Sequence, residues 1–189
     1  MQYPGKGDGM SEAQVSLITD EIRALIGVEA DIGEAWDTVE AGAVRRFTQA
    51  IMDNDPAYWN EDFARNSKFG TTVAPPLYQM HSARRRSGTP DPLDALKENR
   101  EWDGLGGGGR QGGLPSVDVP LKRILNGGTE AEFLQLAKPG DRIRARARYA
   151  DIFERDGRTG KMVFIVTETT YSNQYGDVLA RIRSTTIRR

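Results

Sequence analysis

FTQAIMDNDPAYWNEDFARNSKFGTTVAPP, residues 47–76, sets the terms on which the rest of the chain is read. Val44, Phe47 and Ile51 recur at helical spacing, which predicts a helix over about Ala43–Met52 that runs straight into Asp53. Asp53, Asn54, Asp55 and Pro56 are all good turn formers, so alone they read as a helix end and a turn. The order of an acid, a proline and then the ring of Tyr58 also has the spacing of a catalytic motif. A phenol stands there where an imidazole would make proton exchange easy near neutral pH.

Working outward, 189 residues with a formal net charge of −1 and 38% hydrophobic content suit one globular domain. The charge is split. Residues 120–189 hold 14 Lys/Arg against 8 Asp/Glu, so the first 119 carry the acidic excess. With no basic tail and no aromatic-rich module, this does not favour a nucleic-acid partner. It suits a phosphorylated ligand or an acidic partner better. The chain has no cysteine, which excludes disulfides, thiolate nucleophiles and Cys-ligated zinc. Its single histidine, His81, excludes two-histidine metal sites, and no tight acidic cluster suggests a metal. No run is long enough for a membrane span and residues 1–10 lack a signal-peptide core, so a cytoplasmic location is expected.

The expected organisation is a disordered N-terminus over residues 1–10 and one domain over 11–189. Ser11 reads as a helix N-cap with Gln14 completing a capping box. Val15, Ile18, Ile22, Leu25 and Ile26 follow at helical spacing, and Gly27 stands at the C-terminal glycine position. "IGEAWDTVEA" reads as a short strand or extended approach, and Leu77 to about Arg86 as another helix. In "RIRARARY", Ile143, Ala145, Ala147 and Tyr149 alternate with Arg142, Arg144, Arg146 and Arg148, the pattern of a half-buried strand. The arginine face could meet coenzyme A phosphates, but a solvated sheet face is the favoured reading. "KMVFIVTETTY", "DVLARIRSTTI" and a segment near Leu121–Phe133 add three more strands, giving an α+β domain with an antiparallel sheet. Gly104-x-Gly106-x-x-Gly109 formally matches a dinucleotide fingerprint, but "RQGGLPS" cannot continue it as a helix, so a mobile loop is expected.

The stretch 47–76, with "ILNGGTEAEFLQLAKPGDRI" and "GRTGKMVFIVTETTYSNQYGDVLARIRSTTI", resembles the MaoC-like hot-dog family of (R)-specific enoyl-CoA hydratases and 3-hydroxyacyl-thioester dehydratases. The likeness is greatest to the branch found as an N-terminal half or non-catalytic subunit. It covers roughly residues 14–80 and 118–189 and leaves about 87–117 as an insertion. The resemblance implies a hot-dog fold, an antiparallel sheet wrapped around a central helix, paired with a second hot dog. It implies that an Asp and a His in a G-D-x-N-P-x-H pattern hold a water that adds across an enoyl thioester. A backbone N–H at the start of the central helix, usually a Gly, would bind the thioester oxyanion.

Carried over residue by residue, Asp53 falls on the Asp, Asp55 on the Asn, Pro56 on the Pro and Tyr58 on the His. Met52 replaces the leading Gly, and Pro76 falls on the oxyanion Gly with the Leu77 amide next in line. The expectation is therefore a degenerate site in the non-catalytic subunit of a hydratase. That subunit would complete a double hot dog and an acyl tunnel, with no cofactor, and its substrate would be a thioester of coenzyme A or acyl carrier protein. The implied partner is a second MaoC-like subunit with an intact Asp/His pair, and alone the chain would form a homodimer. The alternatives are a homodimeric hydratase using Asp53 with Tyr58 or His81, and a thioester-binding or assembly module without turnover.

Overall fold

The computed structural model describes residues 16–82, 88, 94–98, 100, 113–158 and 160–189. The elements run α1 (Asp20–Ala24), β1 (Glu29–Glu34), α2 (Ala41–Ile51), a 3-10 turn (Pro56–Tyr58), α3 (Glu61–Arg65), α4 (Tyr78–Ser82), α5 (Ala95–Glu98), β2 (Ile124–Phe133), β3 (Arg144–Gly157), β4 (Gly160–Ser172) and β5 (Val178–Arg188). The strands form one antiparallel sheet in the order β1-β3-β4-β5-β2, so β1 and β2 are its edges. No described helix is long and apolar enough to cross a membrane.

The alternation leading into and along β3 sorts the side chains from Ile143 to Tyr149 as the sequence predicts. Ile143, Ala145, Ala147 and Tyr149 are buried, and the arginines between them face out. On that outer face Arg142 meets Glu34 at 3.2 Å and Arg144 pairs with Asp31. Glu168 lies between Arg148 and Arg183, 2.7 Å from each, and Arg181 meets Glu132 at 3.1 Å. Burial would raise the Glu168 carboxyl, but hydrogen bonds from Arg183 and Arg148 outweigh it and hold the group below the usual carboxylate range. Arg142, Arg144 and Arg148 of the stripe are thus paired with carboxylates of neighbouring segments within the chain, which fits the solvated-face reading.

The inner face carries two cores. Ile143 and Ala145 pack with Val39, Val44, Ala74, Tyr78 and Tyr171 beneath α2 and α4. Tyr149, Ile152, Val163 and Ile165 pack with Ile22 of α1 and with Leu114, Val117 and Val119. The Tyr149 hydroxyl donates to the Pro115 carbonyl at 2.7 Å, latching the 114–119 segment over the second core. Burial pushes that phenol up to about 12. In β2, Gly127 is required by packing: a Cβ there would meet Thr185 Cγ2 at 2.7 Å.

Two expectations need correction. The first helix does not start at Ser11, which lies outside the described residues with Gln14 and Val15. Residues 16–19 are non-helical, and Thr19 is the N-cap, accepting the Ile22 N–H at 3.3 Å. A long-range contact, the Leu17 N–H to Glu154 Oε2 at 2.8 Å, draws the preceding chain onto β3 instead. Gly27 does adopt the expected left-handed φ of 87°. The first strand also comes earlier than "IGEAWDTVEA" suggests, at Glu29–Glu34. Beyond it scattered backbone bonds persist, Ala35 N–H to Ile143 O and Val39 N–H to Asp141 O at 2.7 Å each, and Gly140 N–H to Val39 O at 2.8 Å. The N-terminal residues 1–10, the Gly104–Gly109 motif and most of the 87–117 insertion lie outside the described residues.

Candidate active site

The site residues sit on the first core, where α2 ends. Thr48 fixes that end. It is buried, its hydroxyl donates to the Arg45 carbonyl at 2.8 Å, and its own carbonyl accepts the Asp53 N–H at 3.0 Å. Met52, the C-cap between them, is left-handed with φ 57° and ψ 35°. It is the sole described non-glycine residue with positive φ. For an L residue this costs about 1 kcal/mol or more, and glycine would occupy it without strain. That accounts physically for a glycine at the head of the G-D-x-N-P-x-H pattern and marks Met52 as a departure with an energetic consequence.

From this cap the chain turns on its carboxylates. Asp53 Oδ1 accepts the Asp55 N–H at 3.1 Å, and Asp55 Oδ1 accepts the Ala57 N–H at 2.9 Å, capping the 3-10 turn that Pro56 opens. Asp55 and Pro56 therefore build the turn, and Asp53 is left half-buried beside Tyr58. The Tyr58 ring packs against the first core. Burial, and then the charges of Asp53 and Asp55, push its phenol above the ordinary value near 10. At neutral pH it is a proton-bearing donor, and it cannot take a proton from water as an imidazole would.

The second half of the site arrives on the 73–82 segment. Val73 N–H donates to Ala57 O at 3.1 Å, and Ala74 N–H to Ala137 O at 2.7 Å, which holds the segment leading into Pro75 and Pro76 between the turn and the loop that follows β2. Pro76 has no N–H and so donates nothing. Its carbonyl accepts from Nε2 of Gln79, a side chain with only 1% of its surface exposed. In a trans peptide the carbonyl and the following N–H point in opposite directions, so with the Pro76 oxygen turned toward Gln79 the Leu77 N–H is directed away from that side chain. That amide is one residue, about 3.8 Å, along the chain from the place the family's glycine amide would take.

His81 lies one turn into α4, its ring 5.4 Å from Phe47 and 6.1 Å from Tyr78, centroid to centroid. Phe47 and Tyr78 meet edge to face at 5.5 Å, so the histidine extends an aromatic stack that binds α4 to α2. Folding thus sets Tyr58 beside Asp53 and Asp55, sets Pro76 and Leu77 across from the same turn, and gives His81 to the helix contact. Sequence reasoning missed Thr48 and Gln79. Neither carries a signal, because a buried polar side chain that bonds to backbone looks like any other helical Thr or Gln. Among the described residues no cluster of three or more His, Asp or Glu side chains could hold a metal.

A family model described as the FAS1-like dehydratase domain region matches residues 24–182. The chain belongs to the MaoC-like hot-dog dehydratase family. A probable enoyl-CoA hydratase alpha subunit from Thermomonospora curvata is 30% identical over 149 residues, 78% of this chain. The chain spans only 44% of that relative's length. Among solved structures, a MaoC-like dehydratase from Rhodospirillum rubrum matches with a TM-score of 0.55 at 21% identity, covering 87% of this chain and 93% of that one. The ChsH1-ChsH2 complex from Mycobacterium tuberculosis matches with a TM-score of 0.60 at 15% identity, covering 85% and 82%. At these identities the structural matches establish the hot-dog fold, and the site must be read from its own residues.

Proposed function

We propose that this chain is the non-catalytic hot-dog subunit of an (R)-specific enoyl-thioester hydratase or 3-hydroxyacyl-thioester dehydratase, acting on an acyl group carried by coenzyme A or acyl carrier protein. The observation that carries the reading is Tyr58. At the position of the family's base it is a phenol held protonated by burial and two neighbouring carboxylates. Removing a general base costs about 10²–10⁴-fold in rate. Losing an oxyanion donor, as at Pro76, costs about 10²–10³-fold more. Asp53 alone can orient a water but has no partner of suitable pKa with which to move its proton.

The rest of the fold suits a supporting role. Strand β2 pairs only with β5 among the described residues, leaving an edge with free N–H and C=O groups for a second hot dog. The alpha-subunit name of the Thermomonospora relative and the two-protein complex among the structural matches are consistent with such a partner.

The test is a hydration assay on crotonyl and longer enoyl thioesters, with the chain alone and with a hot-dog partner bearing the intact motif. The chain alone is expected to stay at trace rates, and the complex to turn over with Asp53→Ala leaving most of its activity. Substantial turnover by the pure chain, abolished by Asp53→Ala, would instead establish the homodimeric hydratase.

A further inference from the structure

On the inner face of the sheet, where the two cores lie, one quadrant is polar. Residues directly opposite each other in an antiparallel sheet share a face. Tyr149, buried in the second core, stands opposite Thr167, Thr167 opposite Ser184, and Ser184 opposite Thr129. These three hydroxyls therefore lie on the inner face of β4, β5 and β2. The rows on either side continue the patch. Thr169 sits between buried Ala147 and Ile182, and buried Ile152 and Ile165 lead across to Thr186 and Asn126.

Thr167, Thr169 and Thr186 are half-buried, while Ser184 and Thr129 are exposed. Among the described residues none of the five hydroxyls has a hydrogen-bond partner, and none is sealed from solvent. The outer face behaves otherwise, since Arg148, Arg181 and Arg183 there each meet a carboxylate. The patch also adjoins the candidate site. Ile182, two residues before Ser184 on β5, belongs to the first core, on which the Tyr58 ring packs. Along β5 the inner face thus runs from Ala180 and Ile182 through the hydroxyls of Ser184 and Thr186 to Arg188, opposite Ile124. From Ile182 to Arg188 the strand extends about 20 Å.

This gradient distinguishes one kind of acyl group from another. A plain alkyl chain leaving the site across this face would strip water from the hydroxyls and offer them nothing in return, which costs free energy. A chain with oxygen substituents would replace that water. A hydroxyl both donates and accepts, so alcohol and ketone oxygens fit equally well. Resting on the hydratase reading above, we propose that the acyl group this subunit receives carries hydroxyl or keto oxygens set back from the thioester, and that Thr167, Ser184 and Thr186 select for them.

The test compares two enoyl thioesters of equal chain length, one plain and one with a distal keto or hydroxyl group. Both are offered to the chain alone and to its complex with a hot-dog partner bearing the intact motif. The oxygenated thioester is expected to have a kcat/KM about tenfold higher, mainly through KM. The Thr167→Val/Ser184→Ala double variant should bring that ratio close to one and leave the plain thioester's kcat/KM nearly unchanged. Its hydroxyls make no bond in the free chain, so the fold should tolerate their loss, and turnover of the plain thioester reports that it has. Equal kcat/KM values in the parent, or a preference that survives in the double variant, would overturn the selection and leave the hydratase reading standing. The ratio is read on whichever preparation turns over, so activity of the chain alone would overturn only the non-catalytic role. No turnover of either thioester in any preparation would overturn both readings.

Discussion

The sheet and the α2–α4 quarter of this molecule settle their side chains in opposite ways. From β3 to β5 the inner apolar side chains are buried, and most charged outer ones meet an opposite charge on a neighbouring strand. From Met52 to Met80 the chain holds a left-handed methionine, a phenol raised by burial and by the charges of two carboxylates, and several large hydrophobics facing outward. Unfavourable local choices of this kind persist where surrounding structure or a partner compensates them. The difference separates the part of the chain whose apolar and charged side chains satisfy one another from the part whose side chains do not, and each prediction below tests one side of it.

The largest effect is expected in the site. In the isolated chain, Tyr58→His restores an imidazole but leaves Pro76 without an N–H. The Leu77 amide sits a residue too far along, and displacements of even ~1 Å cost about 10²-fold in such geometry. The single variant should therefore stay within about tenfold of background. The Tyr58→His/Pro76→Gly double variant should exceed it by about 10²-fold, the worth of one oxyanion donor. Steady-state hydration of crotonyl-CoA measures both. High activity from Tyr58→His alone would show that the Leu77 amide already serves as the donor.

Next in size is a pair of leucines. Leu114 is 1% exposed in the second core and Leu77 is 50% exposed just before α4. Leu114→Ala should lower unfolding free energy by about 2–5 kcal/mol. Leu77→Ala should change it by no more than about 0.5 kcal/mol. Urea titration of each isolated variant reads the difference. A large loss from Leu77→Ala would mean that Leu77 packs against the chain's own residues more than its exposure suggests.

How much of this was legible depends on whether a residue's surroundings are local. The β3 alternation was legible because a period of two on a half-buried strand sorts Ile143 through Tyr149 by position alone. The acid-Pro-ring spacing at Asp53–Tyr58 was legible because one turn places those residues together whatever the tertiary fold. The start of the first helix was not: Val15 and Ile18 keep an apolar helical spacing, but a hydrogen bond from Leu17 to Glu154, 137 residues away, holds the chain off that path. The Met52 cap, the Gln79 clamp and the Thr48 anchor were not legible either. Each depends on a backbone direction set by packing, and the side chain itself gives no sign of it.

The smallest effect is on the sheet side, at high pH, and concerns Tyr149. Its phenol is raised to about 12 by burial, so in the native state it stays protonated where the unfolded phenol, near 10, has ionised. A raised folded pKa gives stability that is fully present below pH ~10 and is lost as pH climbs toward ~12, because the unfolded state alone releases the proton in that window. Tyr171, Tyr78 and Tyr58 are shifted in the same direction, so removing Tyr149 should reduce the alkaline loss without abolishing it. Tyr149→Phe keeps the ring in the core and removes both the ionisation and the hydrogen bond to the Pro115 carbonyl. At neutral pH the variant should be about 1 kcal/mol less stable than the parent. That deficit should shrink as pH rises from about 10 to about 12, when the parent begins to lose what the variant never had. Urea midpoints across that range give the two slopes. Parallel slopes would show that the phenol ionises freely in the folded protein, and the latch over the second core would then be loose.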